Sequence, residues 1–144
     1  MENNEKLLRS FQLVTAELEA TYHKLTQKMG MSDSAQIILY IICMLGGECL
    51  LSDVVHKSSM SKQTVHSSLH KLEREGMLTL RAWDDKKKVV ALTPEGKKLA
   101  EKTAMRLMRM EQEILDAWPE EDYSTYVRLT ERFVEGLKQK MEEI

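Results

Sequence analysis

The chain is poor in the residues that break helices. Its 144 residues include only six glycines and two prolines. So few breakers exclude a loop-rich or many-stranded fold and predict mostly helix with short connections. Cysteine is equally scarce, at two residues, Cys43 and Cys49. Two cysteines in a chain expected to be cytosolic do not make a disulfide framework. No apolar run approaches the ~20 residues that a membrane-crossing helix needs. The apolar run Ile37–Leu45 is too short. The first ten residues lack a basic stretch followed by an apolar one, so neither a secretion signal nor a membrane partner is expected. The sequence also lacks a glycine-rich phosphate loop, a zinc-protease box and a nucleophile elbow. These absences favour a non-enzyme, and no cofactor or catalytic group is expected.

What is present is an uneven distribution of charge. The formal net charge is -2. Residues 56–98 hold ten Lys or Arg and five acids, a net of +5, and the remainder carries -7. Positive charge gathered on one module suits an anionic polymer; a merely solvated, lysine-rich face is the plain alternative.

Within that module, Ser61 is suited to cap a helix, and Val65, Leu69 and Leu72 form one apolar stripe along it. Gly76 is placed to stop the helix in a left-handed turn. The opposite face carries Lys62, Gln63, His66, Ser67, His70, Lys71 and Arg74, with Ser61 and Thr64 at its start. These donors and acceptors are of the kind that read base edges and hold phosphates. Gln63 can pair with the edge of adenine. Lys71, Arg74, Lys86, Lys87 and Lys88 suit phosphate anchoring. His66 and His70 also have zinc-ligand spacing, but with no acid or cysteine in register no metal site is expected. His23 and His56 stand alone in the sequence.

The neighbouring segments complete a pattern. Leu50–Lys57 reads as a short helix, Ser58 and Ser59 as a turn, and Met60 as its apolar plug. After Gly76 the period changes: Met77–Arg81 and Val89–Leu92 read as two short strands around a tip with three consecutive lysines. Glu48–Leu50 is a further short strand candidate. Helix, turn, helix and hairpin make a winged helix-turn-helix.

Long helices flank this module. One is expected over Glu5–Lys28, and a second over Ser34–Leu45, apolar nearly all round; its β-branched content also admits a buried strand. Thr93 and Pro94 open a long helix expected to reach Ala117, and Glu120 begins a last helix after Trp118-Pro119. The expected fold is therefore mostly α: a winged helix-turn-helix with a small β-wing, embedded between long terminal dimerisation helices. The expected segments are an amino-terminal dimerisation helix (1–33), a DNA-binding domain (34–93) and carboxy-terminal dimerisation helices (94–144). The terminal stripes exceed what so small a body can bury, and a second copy would cover them. A monomeric helical bundle with a hairpin is the alternative. Cys43 reads as a core filler and Cys49 as the more accessible thiol. Met105, Met108 and Trp118 are candidates to line a ligand cavity.

The sequence resembles the MarR-type transcriptional regulators over nearly its whole length. The resemblance rests on Leu50–Val55, on Met60–Leu78 and on Asp84–Lys98, which contains the Leu-Thr-x-x-Gly run Leu92–Gly96. It implies a homodimer that binds an inverted repeat in double-stranded DNA, each recognition helix in a major groove. It also implies a repressor released by a small-molecule effector, or alternatively by thiol oxidation. Three positions depart from the family pattern: Lys86 stands where the wing usually has arginine, Ser67 where arginine is frequent, and Ser59 where glycine is common. A winged module that docks a protein partner through the same basic face is the competing reading.

Overall fold

The computed structural model describes all 144 residues. The chain divides into two compact units, Met1–Arg106 and Leu107–Ile144. The first holds the amino-terminal helix together with the whole winged module.

Helix α1 spans Glu2–Lys28 and α2 spans Asp33–Met44. Ser32 caps α2, its hydroxyl accepting the Ala35 amide at 3.2 Å. The β-branched run in α2 is helical, so the strand alternative fails. The helix is enclosed instead, with Ile38, Leu39, Ile41 and Ile42 buried. Strand β1, Glu48–Leu50, leads into α3, Leu51–Ser58. Helix α4 spans Lys62–Arg74, and strands β2, Leu78–Ala82, and β3, Lys88–Leu92, follow. The sheet order is β1-β3-β2, antiparallel throughout. Glu48 thus joins the wing sheet opposite Ala91, as the sequence suggests.

The core lies where α2, α3, α4 and the inner face of the sheet meet. Val54, Val65, Leu69, Leu72, Leu78 and Val90 are buried there with the α2 isoleucines. The apolar stripe of α4 is thus its buried face, which fixes the direction of the opposite face. Gly76 terminates α4 at φ +79, a conformation that costs an L side chain but not glycine. Its amide reaches Glu73 O and the next amide, Met77, reaches Leu72 O, the paired closure of a Schellman ending.

Helix α5 spans Pro94–Lys102, α6 spans Ala104–Asp116 and α7 spans Glu120–Met141. The expected continuous helix from Pro94 to Ala117 is therefore two helices, broken at Thr103 (φ -123, ψ -90). Thr103 Oγ1 donates to Leu99 O at 2.8 Å, and its amide turns to Ala100 O. Side-chain competition for the carbonyl of the preceding turn bends helices at threonine, and periodicity alone treats Thr103 as one more position on the stripe.

Two smaller expectations are also corrected. Cys49 is no more accessible than Cys43; both are half-buried free thiols packed against the core. His23 is not alone: its Nδ1 lies 2.6 Å from Asp33 Oδ2, joining the end of α1 to the start of α2. In the second unit, Trp118 packs edge-on against Tyr126, with ring centroids 5.7 Å apart.

Candidate nucleic-acid interface

The start of α4 is held by hydroxyls. Ser61 Oγ accepts the Thr64 amide at 3.1 Å and donates to Thr64 Oγ1 at 2.8 Å. The cap satisfies one orphan amide of the first turn, so Lys62, Gln63 and Thr64 project from a fixed helix end, all exposed. Ser67, His70, Lys71 and Arg74 are exposed further along the same helix. No acidic residue occupies the first turn, leaving the positive end of the helix dipole uncompensated.

Two contacts set the orientation of that face beyond the core stripe. Ser68 Oγ donates to Ser34 Oγ of α2 at 2.7 Å. Glu73 Oε2 accepts the Leu80 amide of β2 at 3.2 Å, fastening the helix to the wing. The other Glu73 oxygen lies 3.7 Å from His70 Nδ1. Glu73 was not among the residues singled out from the sequence, because an acid on a basic helix reads as a solvated charge.

The two histidines of α4 differ. His70 is exposed, whereas His66 is half-buried, with its Nε2 enclosed and without a hydrogen-bond partner. Their rings meet edge to face at 6.5 Å. No group of three or more His, Cys, Asp or Glu side chains is arranged to hold a metal ion.

The wing tip is built on Asp84. Its Oδ1 accepts the amides of Lys86 and Lys87, each at 2.8 Å. The hydrogen bond from the Lys86 amide, reinforced by that from Lys87 and by the Lys87 charge, holds the carboxyl below the usual aspartate value. The Trp83 amide closes the turn on Lys87 O at 2.8 Å. Lys86, Lys87 and Lys88 are all exposed. Arg81 of β2 forms an ion pair with Glu48 of β1 across the intervening strand, so this arginine is engaged within the sheet. The positive groups of the wing not committed to a partner are thus the tip lysines.

Both thiols are held in the protonated form. Burial first, then Asp53 and Glu48, push Cys49 up to about 11. Burial, then Glu101, raises Cys43.

A capped helix with an exposed polar face, seated on a helix-turn and followed by a two-stranded hairpin that β1 completes into a three-stranded sheet, defines a winged helix-turn-helix. Solved structures share this fold. It aligns with Sco3205, a MarR family transcriptional regulator from Streptomyces coelicolor in complex with DNA, at a TM-score of 0.77 and 17% identity over 95% of this chain and 89% of that one. AbsC, another MarR family regulator from Streptomyces coelicolor, aligns at 0.75 and 17% over 96% and 97%. Staphylococcus aureus MarR, in complex with salicylate and kanamycin, aligns at 0.70 and 20% over 94% and 95%. No family model matches the sequence, and no curated protein does. The fold is that of the MarR-type regulators.

Proposed function

We propose that this protein is a homodimeric, sequence-specific DNA-binding transcriptional regulator and not an enzyme. The observation that carries the reading is the exposed face of α4, which presents Lys62, Gln63, Thr64, Ser67, His70, Lys71 and Arg74 while its opposite stripe is buried. An α-helix of this kind fits the major groove, and the wing lysines reach the adjoining backbone. Gln63 reads an adenine edge, while Lys71, Arg74 and Lys86–Lys88 neutralise phosphates and supply affinity more than specificity. His66 contributes through its exposed edge only.

Two copies supply the second half of the site. Exposed apolar side chains run along α1 (Leu7, Phe11, Val14, Leu18) and along α7 (Leu129, Phe133, Leu137, Met141). Apolar stripes of this length on a soluble chain call for a cover, and two-fold pairing is the commonest one. The segments 1–33 and 94–144 then serve dimerisation and 34–93 serves DNA. Paired recognition helices about 34 Å apart engage an inverted repeat. Solved neighbours bound to DNA and to small aromatic acids support a DNA-binding regulator that responds to a small-molecule effector, which we read as a repressor released by that effector in the cytoplasm. Release by thiol oxidation is the weaker alternative, because both cysteines are kept as thiols and the thiolate is the reactive species.

Gel-shift titration on the DNA flanking its own gene, repeated over a salt series, tests the reading. A steep negative log-log slope that shallows on charge reversal at Lys71 and Lys86 is expected. Indifference to both reversals, or no duplex affinity at moderate salt, rejects it and favours a winged module that docks a protein.

A further inference from the structure

The wing carries an aromatic group that none of the contacts described so far explains. Trp83 stands on the tip between Ala82 and Asp84, and 66% of its surface is exposed. Indole is the largest side chain and is seldom left in water without a reason. Its ring makes no hydrogen bond or aromatic contact within the chain. It is not needed to close the turn either: that is done by its backbone amide on Lys87 O and by Asp84 Oδ1 on the next two amides.

The surroundings of the ring identify its partner. One side of it borders an open hollow of about 430 Å³, lined also by Cys49, Leu50, Val89, Lys87 and Glu48, whose carboxylate is paired with Arg81. Lys86, Lys87 and Lys88 follow it within five residues and outnumber the exposed acid Asp85, while the Asp84 carboxylate is turned inward onto backbone amides. An apolar plate flanked by ammonium groups matches a surface on which apolar patches alternate with anions. Duplex DNA presents that alternation along its backbone: deoxyribose rings between phosphates. The net charge of +5 over residues 56–98 favours that anionic polymer over a protein partner.

We propose that Trp83 is a DNA-contacting residue, its indole laid against the deoxyribose edges of the groove beside the wing while the tip lysines hold the flanking phosphates. The inference rests on the DNA-binding reading and adds to it a contact that carries no charge. That distinguishes it from every other wing contact. Removing a lysine lowers both the affinity and the salt slope; removing the indole lowers the affinity and leaves the slope alone.

The test uses the full-length protein and a labelled duplex that the wild type selects from a random-sequence pool. Affinity is measured by anisotropy over a salt series for the wild type, Trp83→Ala, Trp83→Phe and Lys87→Ala. Trp83→Ala is expected to bind about tenfold more weakly at every salt concentration with an unchanged slope, and Trp83→Phe to recover part of the loss. Lys87→Ala is expected to reduce the slope by about one. In a Trp118→Phe background, where Trp83 is the sole tryptophan, its emission should change on titration with the same duplex. Wild-type binding with Trp83→Ala within twofold of it overturns the inference alone. Failure of the wild type to select or bind any duplex overturns the DNA-binding reading and the inference with it. The side chain is exposed, so circular dichroism should show all variants folded.

Discussion

At the scale of single residues, the most demanding position is Gly96. A Cβ there would stand 1.7 Å from the carbonyl oxygen of Met77 and 2.8 Å from its carbon. Neither is the end of a flexible side chain. The same carbonyl accepts the Thr93 amide at 3.1 Å, and Thr93 Oγ1 donates to Gly76 O at 2.5 Å. The Leu-Thr-x-x-Gly run is therefore the seam between the end of α4 and the start of α5, and glycine is the only residue thin enough for it. Gly96→Ala should destabilise the fold by at least about 3 kcal/mol, read as a fall in the urea midpoint; a loss below 1 kcal/mol would show that the seam yields. The run could be recognised in the sequence, but its cause could not, because the clashing atom lies 19 positions away on the backbone. A second residue-scale expectation concerns pH. The Cys49 thiol is pushed up to about 11 from an ordinary 9.0. The folded state thus holds this proton more tightly than the unfolded chain does. The resulting stabilisation is complete below the unfolded value of 9.0 and is lost as pH rises towards about 11. The urea midpoint of the wild type should fall across that window, and that of Cys49→Ala should fall less, retaining only the share of Cys43. Equal slopes in the two proteins would dissociate Cys49 from the effect.

Elements show where local pattern suffices and where it fails. The helix-turn-helix was readable because its signals are short-range: a serine cap at Ser61, an apolar stripe at Val65, Leu69 and Leu72, and a glycine stop at Gly76. The wing was readable because its period switches from helix to strand at Leu78. The break at Thr103 was not, since a hydroxyl turned onto the Leu99 carbonyl leaves the apolar spacing unchanged. The fastening of α4 to β2 through Glu73 and to α2 through Ser68 was hidden for a related reason: both depend on tertiary neighbours that polar surface positions do not announce. The turn between α3 and α4 yields an element-scale prediction. Ser59 sits there at φ +58, the one non-glycine residue in the left-handed region. It is exposed, and the hydroxyl that serves this turn is that of Ser58, which donates to Val55 O and accepts the Met60 amide. Ser59→Gly removes the steric cost of a Cβ in this conformation and sacrifices no contact of the turn. It should raise stability by about 0.5 to 1 kcal/mol, after the extra freedom of glycine in the unfolded chain is offset. Thermal unfolding followed by circular dichroism checks this; a lower midpoint would mean that unfolded-state entropy outweighs the local strain.

For the whole molecule the question is what covers the apolar surface. On α7, Leu129, Phe133 and Leu137 are spaced for one helical stripe, yet each is about half exposed in a single chain. Grooves of about 430 and 490 Å³ flank this helix, one beside Tyr126, Val127 and Val134, the other beside Leu129, Phe133 and Leu137. If the chain stood alone, putting a carboxylate on such positions would cost little, because surface substitutions usually stay within about 0.5 kcal/mol. If a second copy covers them, the same carboxylate becomes a buried, unpaired charge, and the pairing cannot survive two of them. The double variant Leu129→Asp with Leu137→Asp separates the two cases. Sedimentation equilibrium should give twice the 16.7 kDa chain mass for the wild type and the single-chain mass for the variant. The variant should keep the α4 and wing surface intact and lose the advantage of two linked half-sites, so that its affinity for an inverted repeat falls to that for an isolated half-site. Wild type at the single-chain mass at micromolar concentration would remove the dimer from the account. The winged module would then have to read DNA alone, from one groove, with correspondingly weak discrimination among sites.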